Sequence, residues 1–381
     1  DGVVHEADPD VLLRIGAGVT LKDVAIAAVE RRLAVPLGTA PTVGLGLILQ
    51  GGVGHLTRSL GLALDAIHSL QMVTAKAEVV NLSRDSPEPE LKELFWAAVG
   101  CAPNFGVVTS VTLEAAPFRH CNSFRQVYEL QKGKDEDSAI SFCRLQKYLS
   151  WSAELPVDCS ADCCLYFKDD KTFEPSSILM GIYTYDFGGV SARLDLSGGP
   201  TLLLEKLLEK QSVAELMDQE PYLCEQPDGT VHRGFIPKRS FFVRALFFEK
   251  TADMCKDVVE GIRSAPSPHC YFHFQHMGGA VSKRIDSLFT ARQAEWSLVI
   301  SAAWSEEKSA AACRSWVMQV VQKLLPKALG SYATDLGPED ELLAGHSFGH
   351  NTSQLVQLKK KWDPENMFKH GFPLAALSRE G

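Results

Sequence analysis

At 381 residues with 45% hydrophobic side chains, the chain is long enough for two ordinary domains with a substantial buried core, and its composition excludes a disordered protein. A formal net charge of -9 and a pI near 5.7 exclude the clustered basic footprint that nucleic-acid binding requires. No apolar run reaches bilayer-spanning length: the best stretch, around Val43 to Leu49, is short and broken by Gly44 and Gly46, so a soluble protein is expected.

In chain order, Val11 to Ile15 reads as a strand and Gly16-Ala17-Gly18 as a turn. A helix from about Leu21 to Arg32 follows, opened by a Thr20/Asp23 capping box, with Val24, Ala27, Ala28 and Arg31 at helical spacing. Between Pro36 and Gly54 the glycines at 38, 44, 46, 51, 52 and 54 are too many for a packed helix and predict a backbone-lined loop system. Leu70 to Val80 and Val107 to Leu113 read as strands, with a helix from about Pro89 to Ala98 between them and Pro117 closing the unit.

From Phe118 the glycines scatter, and strands such as Phe241 to Phe248 mix with helices such as Leu202 to Lys210, which marks a second domain. Asn351 to Trp362 carries Leu355, Leu358 and Trp362 at helical spacing before Pro364, and Lys359-Lys360-Lys361 reads as the solvated end of that helix. The expected fold class is α+β, with residues 1–117 as one domain, 118–330 as a second, and 331–381 returning to the first.

The compartment stays open, because the chain starts at Asp1 without a visible leader pattern. Ten cysteines, the closest being Cys159, Cys163 and Cys164, suit neither a disulfide scaffold nor zinc-finger spacing and read as thiols. His346 and His350 share helical spacing but have no third ligand nearby, so no metal site is expected. Asn81-Leu82-Ser83 and Asn351-Thr352-Ser353 are glycan acceptors only if the chain is secreted.

Glycines let backbone N–H groups approach a phosphate closely, and the run from Gly44 to Gly54 has that chemistry. It matches neither the Rossmann fingerprint nor the P-loop, so its residues alone leave two readings open: internal packing and turns, or a cofactor. Tyr271-Phe272-His273-Phe274-Gln275-His276-Met277-Gly278-Gly279 alternates aromatic and polar side chains, which puts Tyr271, His273 and Gln275 on one strand face. That face could serve chemistry or simply meet solvent. His55 could reach a cofactor edge, or could be a surface or packing residue.

Three ordered segments carry a family resemblance. Pro41-Thr42-Val43-Gly44-Leu45-Gly46 with Gly51-Gly52-Val53-Gly54 and Leu60-Gly61-Leu62-Ala63-Leu64-Asp65 comes first; Leu94-Phe95-Trp96-Ala97-Ala98 with Asn104-Phe105-Gly106-Val107-Val108 is second; Leu355 through Asp363-Pro364-Glu365-Asn366-Met367-Phe368 is third. Together they resemble the berberine-bridge-enzyme-like FAD-linked oxidoreductases of the vanillyl-alcohol-oxidase and p-cresol-methylhydroxylase type. The resemblance implies a p-cresol-methylhydroxylase-type FAD-binding domain and a substrate domain with an antiparallel sheet covered by helices.

It further implies that Pro41, Thr42, Val43, Gly44, Gly46, Gly51, Gly52, Gly54, His55, Gly61 and Asp65 hold FAD, with Asn104, Phe105, Gly106, Val107 and Val108 lining its flavin or adenosine end. Ala40 stands where bicovalent members have a cysteine, and the family's covalent histidine belongs to an N-terminal segment the chain lacks, so FAD would be non-covalent. The small Val43 stands where the family controls oxygen access, which favours an oxidase. Gln275 and His273 would serve catalysis, as would Tyr332 and Asp335, the latter replacing the family's second tyrosine in Ser331-Tyr332-Ala333-Thr334-Asp335. The implied activity is oxidation of a small alcohol, sugar or alkaloid-like molecule by hydride transfer to flavin N5, with molecular oxygen as acceptor and no nucleic-acid or membrane partner. The substitutions at these positions leave a flavin-free or inactive relative as the alternative.

Overall fold

The computed structural model describes residues 3–6, 11–129, 135–167, 177–187, 206–217, 240–250, 253–283 and 287–374. The chain forms two compact units: Asp1–Phe118, Gly279–Arg292 and Gly330–Gly381 make the first, and Arg119–Gly278 with Gln293–Leu329 the second. The short segment Gly279–Arg292, expected within the middle of the chain, packs with the first unit.

The first unit opens with β1 (Val3–Glu6) and β2 (Leu12–Gly16). Helix α1 (Leu21–Val29) starts where the capping box predicts: the Thr20 hydroxyl accepts from the Asp23 N–H at 3.3 Å, and the Asp23 carboxylate accepts from the Thr20 N–H at 2.9 Å. It ends before Arg32, whose left-handed φ of 58° takes the chain out of the helix and into β3 (Leu33–Ala34). The glycine run is not all loop. It contains α2 (Leu45–Gln50), which fits because Leu45, Ile48 and Leu49 bury one face, and α3 (Thr57–Leu60) follows.

Instead of one strand from Leu70 to Val80, two strands form a hairpin, β4 (Ile67–Thr74) and β5 (Val79–Ser83), because Ala77 adopts a positive φ of 57° in the turn. Helix α4 (Pro89–Cys101) begins at the helix-favouring proline and breaks at Val99 and Gly100. Strand β6 (Gly106–Glu114) enters the sheet centre, and β7 (Ala116–Pro117) pairs back with β3. The sheet order is β1-β2-β6-β4-β5, antiparallel throughout. Alternation sends Leu13, Ile15, Met72, Val111 and Leu113 into the core.

The second unit contains β8 (His120–Glu129), α5 (Asp135–Ser152), β9 (Cys159–Tyr166), β10 (Ser177–Asp186), β11 (Lys206–Gln211), α6 (Val213–Met217), β12 (Ser240–Phe248), α7 (Cys255–Arg263), β13 (Tyr271–His276), β14 (Trp296–Trp304) and α8 (Ala310–Leu324). Its strands run in the order β11-β8-β10-β9-β13-β14-β12, each antiparallel to its neighbour. The expected helix from Leu202 to Lys210 fails over its described part: 206–211 is strand β11, because pairing with β8 overrides the helical preference of Leu, Glu and Lys.

Helices cover one face of this sheet. Phe272 of β13 meets Trp316 of α8 at 5.4 Å between ring centroids, and the Trp316 indole N–H donates to the Gly261 carbonyl of α7 at 2.9 Å. Beyond this unit the chain re-enters the first through β15 (Gly330–Ser331), α9 (Glu341–Phe348) and α10 (Thr352–Trp362). Antiparallel sheets with segregated helices make the fold class α+β, as expected. Among the described residues no helix is long and apolar enough to cross a membrane, no group of three metal-ligating side chains occurs, and the cysteines are free thiols.

Candidate functional site

The glycine run separates into two kinds of position. A Cβ built on Gly54 would stand 1.8 Å from the Leu37 carbonyl oxygen, and one on Gly52 would stand 2.3 Å from the Ala63 methyl. At Gly51 the same test meets the Tyr332 ring at 2.5 Å. These three glycines are required by the chain's own packing. A Cβ on Gly46 meets nothing within 4 Å, and one on Gly44 only the Val19 carbonyl at 3.3 Å, while Thr42, Val43 and Gly46 are exposed. The Leu47 side chain lies against Gly38, where an added Cβ would meet its Cδ2 at 2.2 Å.

The N–H groups tell the same story. Those of Gly52 and Val53 donate to the Tyr332 hydroxyl at 2.6 and 3.3 Å, and that of Gly54 to the Thr57 hydroxyl at 2.8 Å. Phosphate-gripping amides were expected at these positions, but a phenol and a threonine already occupy them. Tyr332 is buried, and burial pushes its phenol up to about 12 against the pull of the Gly52 amide, so it stays protonated at neutral pH. Its place is that of a strut under the glycine turn. Asp335 lies half-buried in the turn that follows Tyr332, its N–H donating to the Tyr332 carbonyl at 3.2 Å.

Asp65 is engaged within the chain. Its two carboxylate oxygens each accept from Arg292 at 2.7 Å, and one also accepts from the Leu62 N–H at 3.0 Å. Gly61, at φ 92°, lies against this carboxylate. Sequence reasoning missed Arg292, which is distant from Asp65 along the chain and follows no recognisable motif. His55 is buried at 7% exposure, which removes the surface reading.

The second and third motifs meet each other. The Asn104 amide donates to the Phe372 carbonyl and accepts from the Phe372 N–H, both at 2.8 Å. Lys359 donates to the Asn104 carbonyl at 2.8 Å and to Asp363 at 2.5 Å, and Asp363 caps the N–H groups of Met367 and Phe368. Lys359 is therefore not a solvated helix end, and Lys361 pairs with Glu90 at 3.0 Å. Phe105 is fully buried, a Cβ on Gly106 would strike Met72 and the Val73 carbonyl, Val108 is buried and Val107 is exposed.

Burial alone would raise the Asp363 carboxyl, yet Lys359 and the two capping amides outweigh it and hold the group below 3.8. Its stabilisation is fully present above that unfolded-state value and is lost as pH falls through the lowered folded one. D363N is accordingly expected to cost about 1–3 kcal/mol at neutral pH. The gap from wild type should close as a urea-unfolding series is taken below pH 4, which is the measurement to make.

In the second unit, β13 carries the polar row seen in the sequence. His273 and Gln275 are buried at 2% and 9% exposure, not turned to solvent. Directly opposed residues of antiparallel strands share a face. Gln275 opposes Asp162 on β9 and Ser297 on β14, and the Ser297 hydroxyl donates to the Gln275 amide oxygen at 3.4 Å. Tyr183 of β10 donates to Asp162 at 2.8 Å, and the same carboxylate oxygen lies 3.7 Å from His273 Nε2. Asp162, Tyr183 and Ser297 escaped sequence reading because only strand register brings them together.

The row is held in place from the strand end. His276 accepts from the Ala161 N–H through Nδ1 at 3.2 Å, which leaves its Nε2–H for Glu295 at 2.8 Å, and its ring stacks on Trp296 at 4.4 Å. The Glu295 carboxylate lies where a Cβ on Gly278 would be, and Gly278 has a φ of 70°, so both demands require glycine there.

Residues 1–83 match the profile of an FAD binding domain, and residues 344–371 that of the berberine and berberine-like family. An FAD-linked oxidoreductase of Dictyostelium discoideum is 28% identical over 378 residues, covering 96% of this chain and 75% of that one. Among solved structures, BBE-like 1 of Physcomitrella patens superimposes with a TM-score of 0.75 at 20% identity, covering 97% of this chain and 78% of that one. A xylooligosaccharide oxidase from Myceliophthora thermophila, solved with xylobiose, gives 0.73 at 19% identity, covering 98% and 80%. The two matched segments are those of an FAD binding domain and of the berberine-like family, and the fold is that of the solved berberine-bridge-enzyme-like structures.

Proposed function

We propose that the chain binds FAD non-covalently and oxidises a small alcohol, sugar or alkaloid-like substrate, with molecular oxygen taking the electrons. The observation that supports this most is the buried row His273, Gln275, Asp162 and Ser297 on one sheet face. Burying that many polar groups is unfavourable unless they are satisfied, and their donors and acceptors suit a hydroxylated or amine-bearing substrate. When bound, FAD supplies the acceptor for a hydride leaving a carbon–hydrogen bond.

The chain's residues fit such a cofactor at Pro41 to Gly46, where Gly44 and Gly46 are smooth without any internal need to be. In this reading Thr42, Val43, Gly44 and Gly46 would hold the pyrophosphate, and the small Val43 leaves oxygen a path. Gln275 would orient the substrate, and His273 would take the hydroxyl proton. Tyr332 and Asp65 act indirectly, by fixing the glycine turn and what packs on it.

FAD titration, followed by the shift of flavin absorbance and then by anaerobic bleaching with oligosaccharides, aromatic alcohols and cyclic amines, tests the proposal. Saturable uptake and bleaching support it, and no uptake overturns it. A flavin-free relative is the second reading, favoured by the engagement of the amides at 52, 53 and 54 with Tyr332 and Thr57; the same titration separates the two.

Gly46→Ala sharpens the test. The added methyl meets no protein atom and lies within α2, where alanine is the better helix former by about 1 kcal/mol, so thermal stability should hold or rise slightly. A dinucleotide approaching Gly46 would meet that methyl. The expected result is at least about tenfold weaker FAD binding, roughly 1.4 kcal/mol, with no loss in melting temperature. Unchanged affinity would remove Gly46 from the cofactor contact.

A further inference from the structure

We propose that Asn81 is an N-glycan acceptor of the folded chain when it is delivered to a secretory compartment, and that Asn351, which heads a second triplet of the same type, is not. The sugar stands on the outward face of the first unit's sheet, beside its edge strand. The inference is independent of the flavin reading.

Asn81-Leu82-Ser83 and Asn351-Thr352-Ser353 both satisfy the acceptor pattern, and the fold separates them. The first triplet lies in β5, where alternate residues share a face, so the acceptor amide and the serine hydroxyl stand on one side while Leu82, at 1% exposure, turns into the core. Asn81 is exposed and Ser83 half-buried. Asn351 is only 9% exposed and lies in helical backbone, between a short 3-10 turn and the first residue of α10. Two residues along a helix are rotated by roughly 200°, so the exposed Ser353 stands away from the Asn351 amide.

Asn81 also has the right atom available. Its Oδ1 accepts from Gln71 Nε2 at 3.1 Å across the β4–β5 pair, and among the described residues no group takes up its Nδ2 hydrogens. In the transfer, Nδ2 attacks the anomeric carbon of an oligosaccharide carried on a polyprenyl diphosphate. The new C–N bond replaces the anomeric C–O bond, the lipid diphosphate leaves with the electron pair, and one amide proton is lost. Oδ1 remains an acceptor afterwards, so the bond from Gln71 survives.

The surroundings suit a sugar. Beside Asn81 is a groove of about 260 Å³ whose lining includes Arg14, Ser69, Gln71, Ser110 and Thr112, donors and acceptors that match the hydroxyl and acetamide groups of an N-acetylhexosamine. Strand β5 ends its sheet among the described residues, which leaves one row of its backbone groups open to pairing with another chain. The same face exposes Val79 at 63%, and Val107 at 58%, both opposite Val73. A glycan at Asn81 screens that edge and those valines from water-driven association.

The experiment expresses the full chain behind a cleavable leader in a eukaryotic cell and isolates the folded, protease-resistant fraction of wild type, Asn81→Gln, Ser83→Ala and Ser353→Ala. A glycan-releasing amidase should lower the mass of wild type and S353A by one oligosaccharide and leave N81Q and S83A unchanged. Peptide mass spectrometry should place the amide-to-acid mark of release at position 81 and none at 351. A folded wild type without sugar at 81, or one that carries it at 351, overturns the proposal. S83A keeps Asn81 and its bond to Gln71, so an unshifted S83A supports it even if N81Q fails to fold, whereas a shifted S83A overturns it.

Discussion

Gly54→Ala is expected to abolish the folded first unit, or to reduce its stability by about 4 kcal/mol or more, the range that marks a buried steric conflict and not a surface change. The added carbon would lie 1.8 Å from the Leu37 carbonyl oxygen, 2.9 Å from the carbon of that carbonyl and 3.2 Å from that of Gly38. All three are backbone atoms, so no rotamer change relieves the clash, and the strand of chain through Leu37 and Gly38 must move away. Movement there also breaks the closed ring in which the Gly54 N–H donates to Thr57 and the Thr57 N–H donates back to the Gly54 carbonyl at 3.1 Å. Set against a total stability of about 5–15 kcal/mol, such a loss is decisive. A denaturant series on G54A beside G46A makes the comparison within one loop. Equal midpoints for the two variants would refute the division of the glycines into packed and open positions.

That division shows how much was legible beforehand and why the rest was not. Composition located the glycine run, and the resemblance gave it a cofactor, but only coordinates distinguish a glycine needed by Leu37 from one that faces nothing. Local signals were readable because their partners are near in sequence: the Thr20/Asp23 box, the proline-initiated α4 and the alternation of β13 all appear as expected. Signals that depend on distant partners were not. Asp162 joins His273 through register between strands far apart in the chain, and Lys359 reads as a surface lysine until Asn104 arrives beneath it. Strand β11 was misread for the same reason, since its pairing with β8 is long-range while its helix propensity is local.

Arg292→Ala is expected to cost about 3–5 kcal/mol, because it strands a carboxylate that is nearly inaccessible to water. Asp65 and Arg292 have side-chain exposures of 2% and 6%, and their two parallel contacts at 2.7 Å are the fork-on-fork geometry that only a guanidinium can supply. Lysine at position 292 should recover only part of the loss, since one ammonium cannot meet both oxygens or retain the bond to the Ser287 hydroxyl. The pair sits behind the glycine turn, where the Ala63 and Leu64 N–H groups donate to the Gly52 and Gly51 carbonyls at 3.2 and 3.0 Å, so its loss should loosen that turn as well as the core. A double replacement, Asp65→Leu with Arg292→Met, removes both charges and should be less costly than R292A alone. Chemical denaturation of wild type, D65L, R292M and the double variant forms the cycle. If the double variant falls by the sum of the two singles, the two groups are not coupled, and Asp65 would then be available for the cofactor role from which Arg292 otherwise withholds it.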